Sequence, residues 1–411
     1  MMDAAPPWLT VVGIGEDGMA SLSAAARRAV ETAEIIVGGD RHHALISDAT
    51  AKRIAWPHPF DALIDTLRAH RGQRIVVLAT GDPLWYSVGA RIGRAIPPAE
   101  IAYYPQLSAF QWAACRMGWS LADVETVTAH GRPAAQVIPA FWPGARLLIL
   151  TAGPETPGEI ARLLTDRGFG ASEMTVLGNL GGEGETRIGG AAAAWASNDP
   201  AAKMPPFHTV AVQCRGYPTM PLSRLPGLPD QAFDHDGKIT KQEVRAATLA
   251  KLMPARGALL WDIGTGCGSV AVEWMRAAPD ALAIGIDPAV DRLAIAANNA
   301  QALGVPKLRL VEGTAPGALE GLPEPQAVFV GGGLSWPVVE TAIAALPQGG
   351  RLVANAVTLE SEALLIALQT RFGGTLTRIS IARAEPVGPH RGWRPLMPVT
   401  QWALIRQDET S

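Results

Sequence analysis

Short apolar runs recur along the chain, separated by stretches with helical periodicity. In the first half they fall at 9–12, 35–37, 75–79, 147–150, 174–177 and 209–213. Runs of this length bounded by turn residues predict strands buried on both faces, and their alternation with helices predicts an α/β architecture. From Arg215 to Asp236 the pattern breaks, and the segment RGYPTMPLSRLPGLPDQAFDHD carries four prolines and two glycines with no sustained period. It predicts a linker over 215–236 between domains 1–214 and 237–411. A second series follows at 259–261, 282–286, 308–311, 327–330 and 351–354, which predicts one complete doubly wound sheet. The last two strand-like runs, 375–382 and 400–406, have no helical pattern between them. They predict an antiparallel hairpin closing the sheet, with a loop between.

Composition narrows the class. At 48% hydrophobic and 18% charged over 411 residues, the chain can bury large cores and is not disordered. Lys and Arg number 35 against 38 Asp and Glu, a net charge of -3, so no general basic surface is offered to nucleic acid or an acidic membrane. Neither partner is expected. Cys115, Cys214 and Cys267 stand far apart, which disfavours a disulfide framework and a structural zinc site and points to a reducing cytoplasm. The first eight residues lack a charged region followed by an apolar run, and no stretch reaches the roughly 18 apolar residues of a membrane span.

The sharper motif lies in the second half. LLWDIGTGCGSVAVEWM places Asp262, Gly264, Thr265, Gly266, Cys267 and Gly268 at a strand-to-helix turn, where glycines let a ligand approach the backbone and the helix offers free N–H groups. Asp287 ends the next strand and can accept both hydroxyl hydrogens of a ribose. A dinucleotide fingerprint would need its third glycine where Ser269 stands, so the spacing favours a nucleoside without pyrophosphate. The pattern resembles the class I S-adenosylmethionine methyltransferases, whose motif of acid, x, Gly, x, Gly, x, Gly matches Asp262 to Gly268. That resemblance implies that Gly313, Thr314 and Ala315 hold the adenine and that Thr240 closes over the cofactor. A competing pattern, AFDHDGKITKQE, imitates a calcium loop through Asp234, Asp236, Gly237, Ile239 and Glu243. Alanine fills its first ligand place and no helix leads into it, so no metal is expected.

In the first half, Gly13, Gly15 and Gly18 form a literal GxGxxG, with Asp40 after the next strand. Alone this predicts a dinucleotide. VLATGDPLWYSVG and YYPQLSAFQWAACRMG argue otherwise, because together with the glycine loop they resemble the tetrapyrrole methylases, two-lobed α/β enzymes that hold S-adenosylmethionine between their lobes. The resemblance spans nearly all of 8–214. It implies cofactor contacts from Gly81, Asp82, Ser108 and Thr209, although Gln106 and Leu107 replace the usual proline-glycine before the serine. Ser108 reads equally as a helix N-cap. The neighbouring His42 and His43 lack further ligands nearby and read as surface or capping residues.

Both patterns on one polypeptide resemble the precorrin-6Y C5,15-methyltransferase (decarboxylating) family of cobalamin biosynthesis along nearly the whole chain. The resemblance implies one S-adenosyl-L-methionine site per domain. It implies that the first domain methylates C5 of a precorrin-6 intermediate, while the second methylates C15 and removes the C12 acetate carboxyl, giving precorrin-8. The substrate's acetate and propionate carboxylates need discrete cationic groups, and Arg383, His390, Arg391 and Arg394 between the last two strand-like runs are the candidates. A homo-oligomer is expected. Two alternatives stand beside this reading: a non-catalytic corrinoid carrier, and an RNA or protein methyltransferase using only the second half.

Overall fold

The computed structural model describes residues 7–46, 49–198, 200–218, 220 and 222–407. Most of the N-terminal run considered as a leader lies outside the described residues, as do Thr219 and Pro221 of the expected linker. The chain divides into two compact units, Met1–Thr219 and Met220–Ser411.

The first unit contains two five-stranded sheets. One consists of β1 (Leu9–Ile14), β2 (Ile35–Val37), β3 (Lys52–Ile54), β4 (Ile75–Thr80) and β5 (Ile101–Tyr104), all parallel, in the order β3-β2-β4-β1-β5. Alternation of side chains sends Leu9, Val11, Ile75 and Val77 into one core and Val12, Ile14, Val76 and Leu78 into another, so both faces are covered. The other sheet contains β6 (Glu125–Thr128), β7 (Arg146–Leu150), β8 (Glu173–Gly178), β9 (Thr186–Ala191) and β10 (His208–Gln213), in the order β6-β7-β10-β8-β9. Only its β6–β7 pair is parallel. The four strands that periodicity missed, β3, β5, β6 and β9, are the four sheet edges. Edge strands bury less side chain, and ETVT or TRIGGA shows no apolar run.

The second unit is built on seven strands: β11 (Leu259–Ile263), β12 (Leu282–Asp287), β13 (Arg309–Glu312), β14 (Ala327–Val330), β15 (Arg351–Ala356), β16 (Thr375–Ile379) and, after the separate hairpin β17 (Ala382–Val387) and β18 (His390–Pro395), β19 (Val399–Ile405). Their order is β13-β12-β11-β14-β15-β19-β16. Neighbours are parallel through β15, and β19 runs antiparallel to both β15 and β16. The expected antiparallel pair at the end of the sheet is there. The intervening segment is a two-stranded sheet rather than a loop, with Ala382 opposite Pro395 and Val387 opposite His390. Its residues are exposed or half-buried on both faces, so neither strand carries the apolar alternation that reveals a half-buried one.

The unit boundary falls inside the stretch expected to be a linker, and much of that stretch is packed. Leu228 and Phe233 are buried in the second unit's core, with Leu222 against it. A charged cluster fixes the segment there. Arg245, on the helix Gln242–Leu252, has no solvent exposure. Its guanidinium donates to Glu273 at 2.6 Å, to Asp230 at 3.2 Å and to the carbonyls of Leu228 and Thr240, with the Phe233 ring centroid 4.8 Å away. Glu273 also accepts the N–H groups of Gly227 (2.6 Å) and Leu228 (3.0 Å). A buried ion pair is stable only when every donor and acceptor is matched, and here the segment from Gly227 to Asp230 supplies the match.

Replacing Asp230 with alanine should therefore lower the stability of the second unit by about 3 kcal/mol, because a buried charge loses a partner. Denaturant unfolding followed by tryptophan fluorescence measures this. A loss within the roughly 0.5 kcal/mol typical of surface substitutions would mean that Glu273 alone satisfies the guanidinium.

Candidate cofactor sites

In the second unit the chemistry-bearing residues gather at the carboxyl ends of β11, β12 and β13, the edge where open α/β sheets bind ligands. Gly264 has φ +71, and a Cβ there would lie 2.5 Å from the nitrogen of Gly332. Only glycine lets the turn pass that close to the loop after β14. The turn is held by the Ile286 carbonyl, which accepts the N–H groups of Gly264 (2.8 Å) and Thr265 (3.1 Å). Each oxygen of Asp287 accepts one backbone N–H at 3.0 Å, from Gly266 and from Ala289. One lone pair on each oxygen remains for a diol. The Asp287 carbonyl accepts the N–H of Gly313 at 3.2 Å, so the loop of Gly313, Thr314 and Ala315 is joined to the same corner.

Asp262 lies beneath the turn. Its Oδ2 accepts the Thr265 hydroxyl (2.8 Å) and the Ala271 N–H (3.1 Å), while its Oδ1 is buried without a partner. Burial pushes its carboxyl up to about 6, against the pull of those two hydrogen bonds. Cys267 points into the core, leaving only its backbone for a ligand. Thr240 is half-buried and gives its carbonyl to Arg245. The segment before it approaches the glycine turn, since the Lys238 carbonyl lies 3.9 Å from the place a Cβ on Gly266 would occupy. Asn299 ties the two together, bonding the Asp234 N–H (2.9 Å), the Asp234 carbonyl (2.9 Å) and the Cys267 carbonyl (2.8 Å). Asn299 and the glycines after β14 escaped the sequence reading, although the run FVGGGLSW after an apolar stretch was a usable signal.

Two of the three acids that imitate a calcium loop are engaged with arginines. Asp236 accepts from Arg292 at 3.0 Å and Glu243 from Arg383 at 2.8 Å. Among the described residues no three His, Cys, Asp or Glu side chains could hold a metal together. Arg383 also reaches Asp230 at 3.1 Å, so it anchors the base of the hairpin and is not a free carboxylate receptor. Arg394 pairs across the hairpin with Glu385 at 2.9 Å. His390 and Arg391 are exposed near its tip.

In the first unit a cleft opens between the two sheets, and Gly81 from the end of β4 and Thr209 from β10 both line it. Gly81 has φ +61, and a Cβ would fall 2.8 Å from the Ser108 Cα. Asp82 turns back to accept the Leu84 N–H at 2.7 Å. Ser108 is the N-cap of the helix Ala109–Met117, its N–H and hydroxyl both donating to the Gln111 side-chain oxygen. Neither of those two side chains lines the cleft; they shape the turns that do. Gly13 packs where a Cβ would meet the Gly81 carbonyl at 2.1 Å, so the first glycine of the apparent dinucleotide motif serves a backbone crossing. His42 caps its own turn, its Nδ1 accepting the Gly39 N–H at 3.2 Å, which leaves Nε2 to donate to Thr80 at 2.9 Å. Burial first, then Arg41 and His43, holds its pKa down to about 4. His43 is buried against the Ile54 carbonyl, not a surface residue.

Residues 9–194 match the tetrapyrrole (corrin/porphyrin) methylases, and residues 231–406 match a precorrin methyltransferase domain. A protein of Sinorhizobium sp. named precorrin-6Y C(5,15)-methyltransferase [decarboxylating] is 46% identical over 405 residues, covering 97% of both chains. The chain belongs to this family. Relatives of about half its length also match. A cobalt-precorrin-7 C(5)-methyltransferase of Salmonella typhimurium is 32% identical over 43% of this chain and 87% of its own. A probable cobalt-precorrin-6B C(15)-methyltransferase (decarboxylating) of Pyrobaculum calidifontis is 35% identical over 42% of this chain and 93% of its own. Within the precorrin-6Y methyltransferase family, then, two activities named separately elsewhere share one name. No described helix of this member is long and apolar enough to cross a membrane.

The buried Asp262 gives a pH signature. A carboxyl whose pKa rises on folding, here from 3.8 to about 6, binds more protons folded than unfolded between those values. Its contribution to stability thus falls as pH rises through that window and stays lost above it. Relative to Asp262→Asn, the wild-type protein should lose up to about 3 kcal/mol between about pH 4 and pH 7. Parallel unfolding curves for the two proteins would show instead that Asp262 ionises at its ordinary pKa.

Proposed function

We propose that this chain is a bifunctional methyltransferase of cobalamin biosynthesis that methylates C5 and C15 of a precorrin-6 intermediate and removes the C12 acetate carboxyl, giving precorrin-8. The observation that supports this reading is that each unit carries a strand end where glycine brings backbone against backbone, Gly264 in one and Gly81 in the other. In the second unit, Asp287 would take the ribose diol, the turn at 264–268 the rest of the nucleoside, and Gly313, Thr314 and Ala315 the adenine. In the first, Gly81 and Thr209 would flank the cofactor, with Asp82 and Ser108 fixing the turns behind them. The tight glycine turn at 264–268 and the spare lone pairs of Asp287 fit S-adenosylmethionine.

Bound there, S-adenosylmethionine supplies an already activated methyl group on its sulfonium. The residues have to align a ring carbon with that methyl and exclude water. Conjugated ring nitrogens of the substrate can take up the electrons left by departing carbon dioxide, so the protein need only hold the carboxylate. In the second unit Arg391 and His390 remain the candidates for that task, because Arg383 and Arg394 already have carboxylate partners. We assign the C5 reaction to the first unit and the C15 reaction with decarboxylation to the second, as the two half-length relatives suggest. Burial raises the Cys267 thiol and pushes Cys214 up to about 11, which suits thiols kept reduced in the cytoplasm.

Calorimetric titration with S-adenosylhomocysteine should find two sites per chain. Asp287→Ala should remove one and Gly81→Ala the other, each leaving its neighbour at unchanged affinity. Two intact sites in Asp287→Ala would remove the class I assignment, and a single site in the wild-type chain would remove the reading of one cofactor per unit.

A further inference from the structure

The cleft of the first unit is walled largely by apolar groups and backbone. Among the described residues lining it, Arg41 is the one Lys or Arg and Glu16 the one acid. Arg41 extends from the short helix Asp40–Ala44, pairs with Glu16 after β1, and lies 3.8 Å from the centroid of the Phe207 ring, which precedes β10. The guanidinium is about one-third exposed and the Glu16 side chain 17% exposed. The cation thus lies over an aromatic face, with its charge already matched by Glu16.

A guanidinium in that position has more donors than one carboxylate can use. Contact with the Phe207 ring restrains the guanidinium, which lowers the ordering cost of pairing with an incoming carboxylate. Glu16 makes such pairing competitive. We propose that Arg41 receives a side-chain carboxylate of the tetrapyrrole in exchange for Glu16, and so determines how tightly the first unit holds its polyanionic substrate. This rests on the reading of the first unit as the C5 methyltransferase. Removing the competitor and removing the receptor must then have opposite effects, whereas a merely structural ion pair would respond alike to loss of either member.

The test uses the full-length protein and a reduced, cobalt-free precorrin with free acetate and propionate carboxylates. Mass spectrometry separates methyl addition without loss of carbon dioxide from methyl addition with it. For the former, Glu16→Gln should lower KM severalfold. Arg41→Met should raise KM on the order of tenfold with a smaller change in kcat. Arg41→Lys, which keeps the charge without the fork, should fall between and guards against a folding defect. If affinity for S-adenosylhomocysteine changes in step with KM, Arg41 serves the cofactor in the same cleft and the proposal is overturned. If Glu16→Gln and Arg41→Met shift KM in the same direction, or neither shifts it while C5 methylation proceeds, the exchange is wrong. If the variants alter only the decarboxylating methylation, the assignment of the C5 reaction to this unit is what fails.

Discussion

A guanidinium with no access to water has to find all its partners inside the protein, and in the second unit this requirement on Arg245 organises what lies around it. Its partners come from three places in the sequence: Glu273 behind the glycine turn, Asp230 and Leu228 in the proline-rich segment, and Thr240 at the approach to its own helix. Matching them draws a stretch whose own secondary structure is one short 3-10 turn, Asp230–Ala232, onto the core. The stretch then continues past Asp234, which Asn299 fastens to Cys267. One buried charge therefore fixes the segment that runs up to the glycine turn. The desolvation cost of the charge is offset only in this arrangement, which makes the cluster a device for specificity as much as for stability.

The two units reach similar solutions by different architectures. In each, a strand ends at a glycine whose missing Cβ lets another backbone pass: Gly332 over Gly264 in one, Ser108 over Gly81 in the other. The surroundings differ. The second unit gathers its residues along the carboxyl edge of one sheet, whereas the first places them on two sheets facing a cleft. The first unit therefore brings side chains together from separate elements, as with Arg41 and Phe207, while in the second the corner is built mainly from backbone.

Much of this was legible in the sequence. Central strands announced themselves because burial on both faces demands continuous apolar runs, and the glycine turns because no other residue tolerates their geometry. What stayed hidden was whatever burial does not write into hydrophobicity. The edge strands β3, β6 and β9 carry no apolar run, and β5, IAYY, is only partly buried. The hairpin β17–β18 is wet on both faces and looked like a loop. The segment from Leu222 to Asp236 looked like a linker because prolines break periodicity whether or not the chain is packed. Its anchor, Arg245, looked like any helical arginine, since only the fold reveals that its face turns inward. For the same reason Arg383 read as a substrate grip when its partners, Asp230 and Glu243, lie 153 and 140 residues away.

The strand order of the second unit also bears on its synthesis. β16 touches the sheet only through β19, which lies between it and β15. As the chain leaves the ribosome, β11 to β15 can assemble in sequence, but β16 then emerges with no neighbour to pair with. It must wait, along with the exposed edge of β15, until residues 399–405 have been made. For that interval the nascent protein presents two open strand edges, a state in which neighbouring chains on the same messenger could pair wrongly. Trp402, fully buried in the finished sheet, sits on the strand that pairs with both β15 and β16, so the burial of one side chain is tied to the covering of both edges.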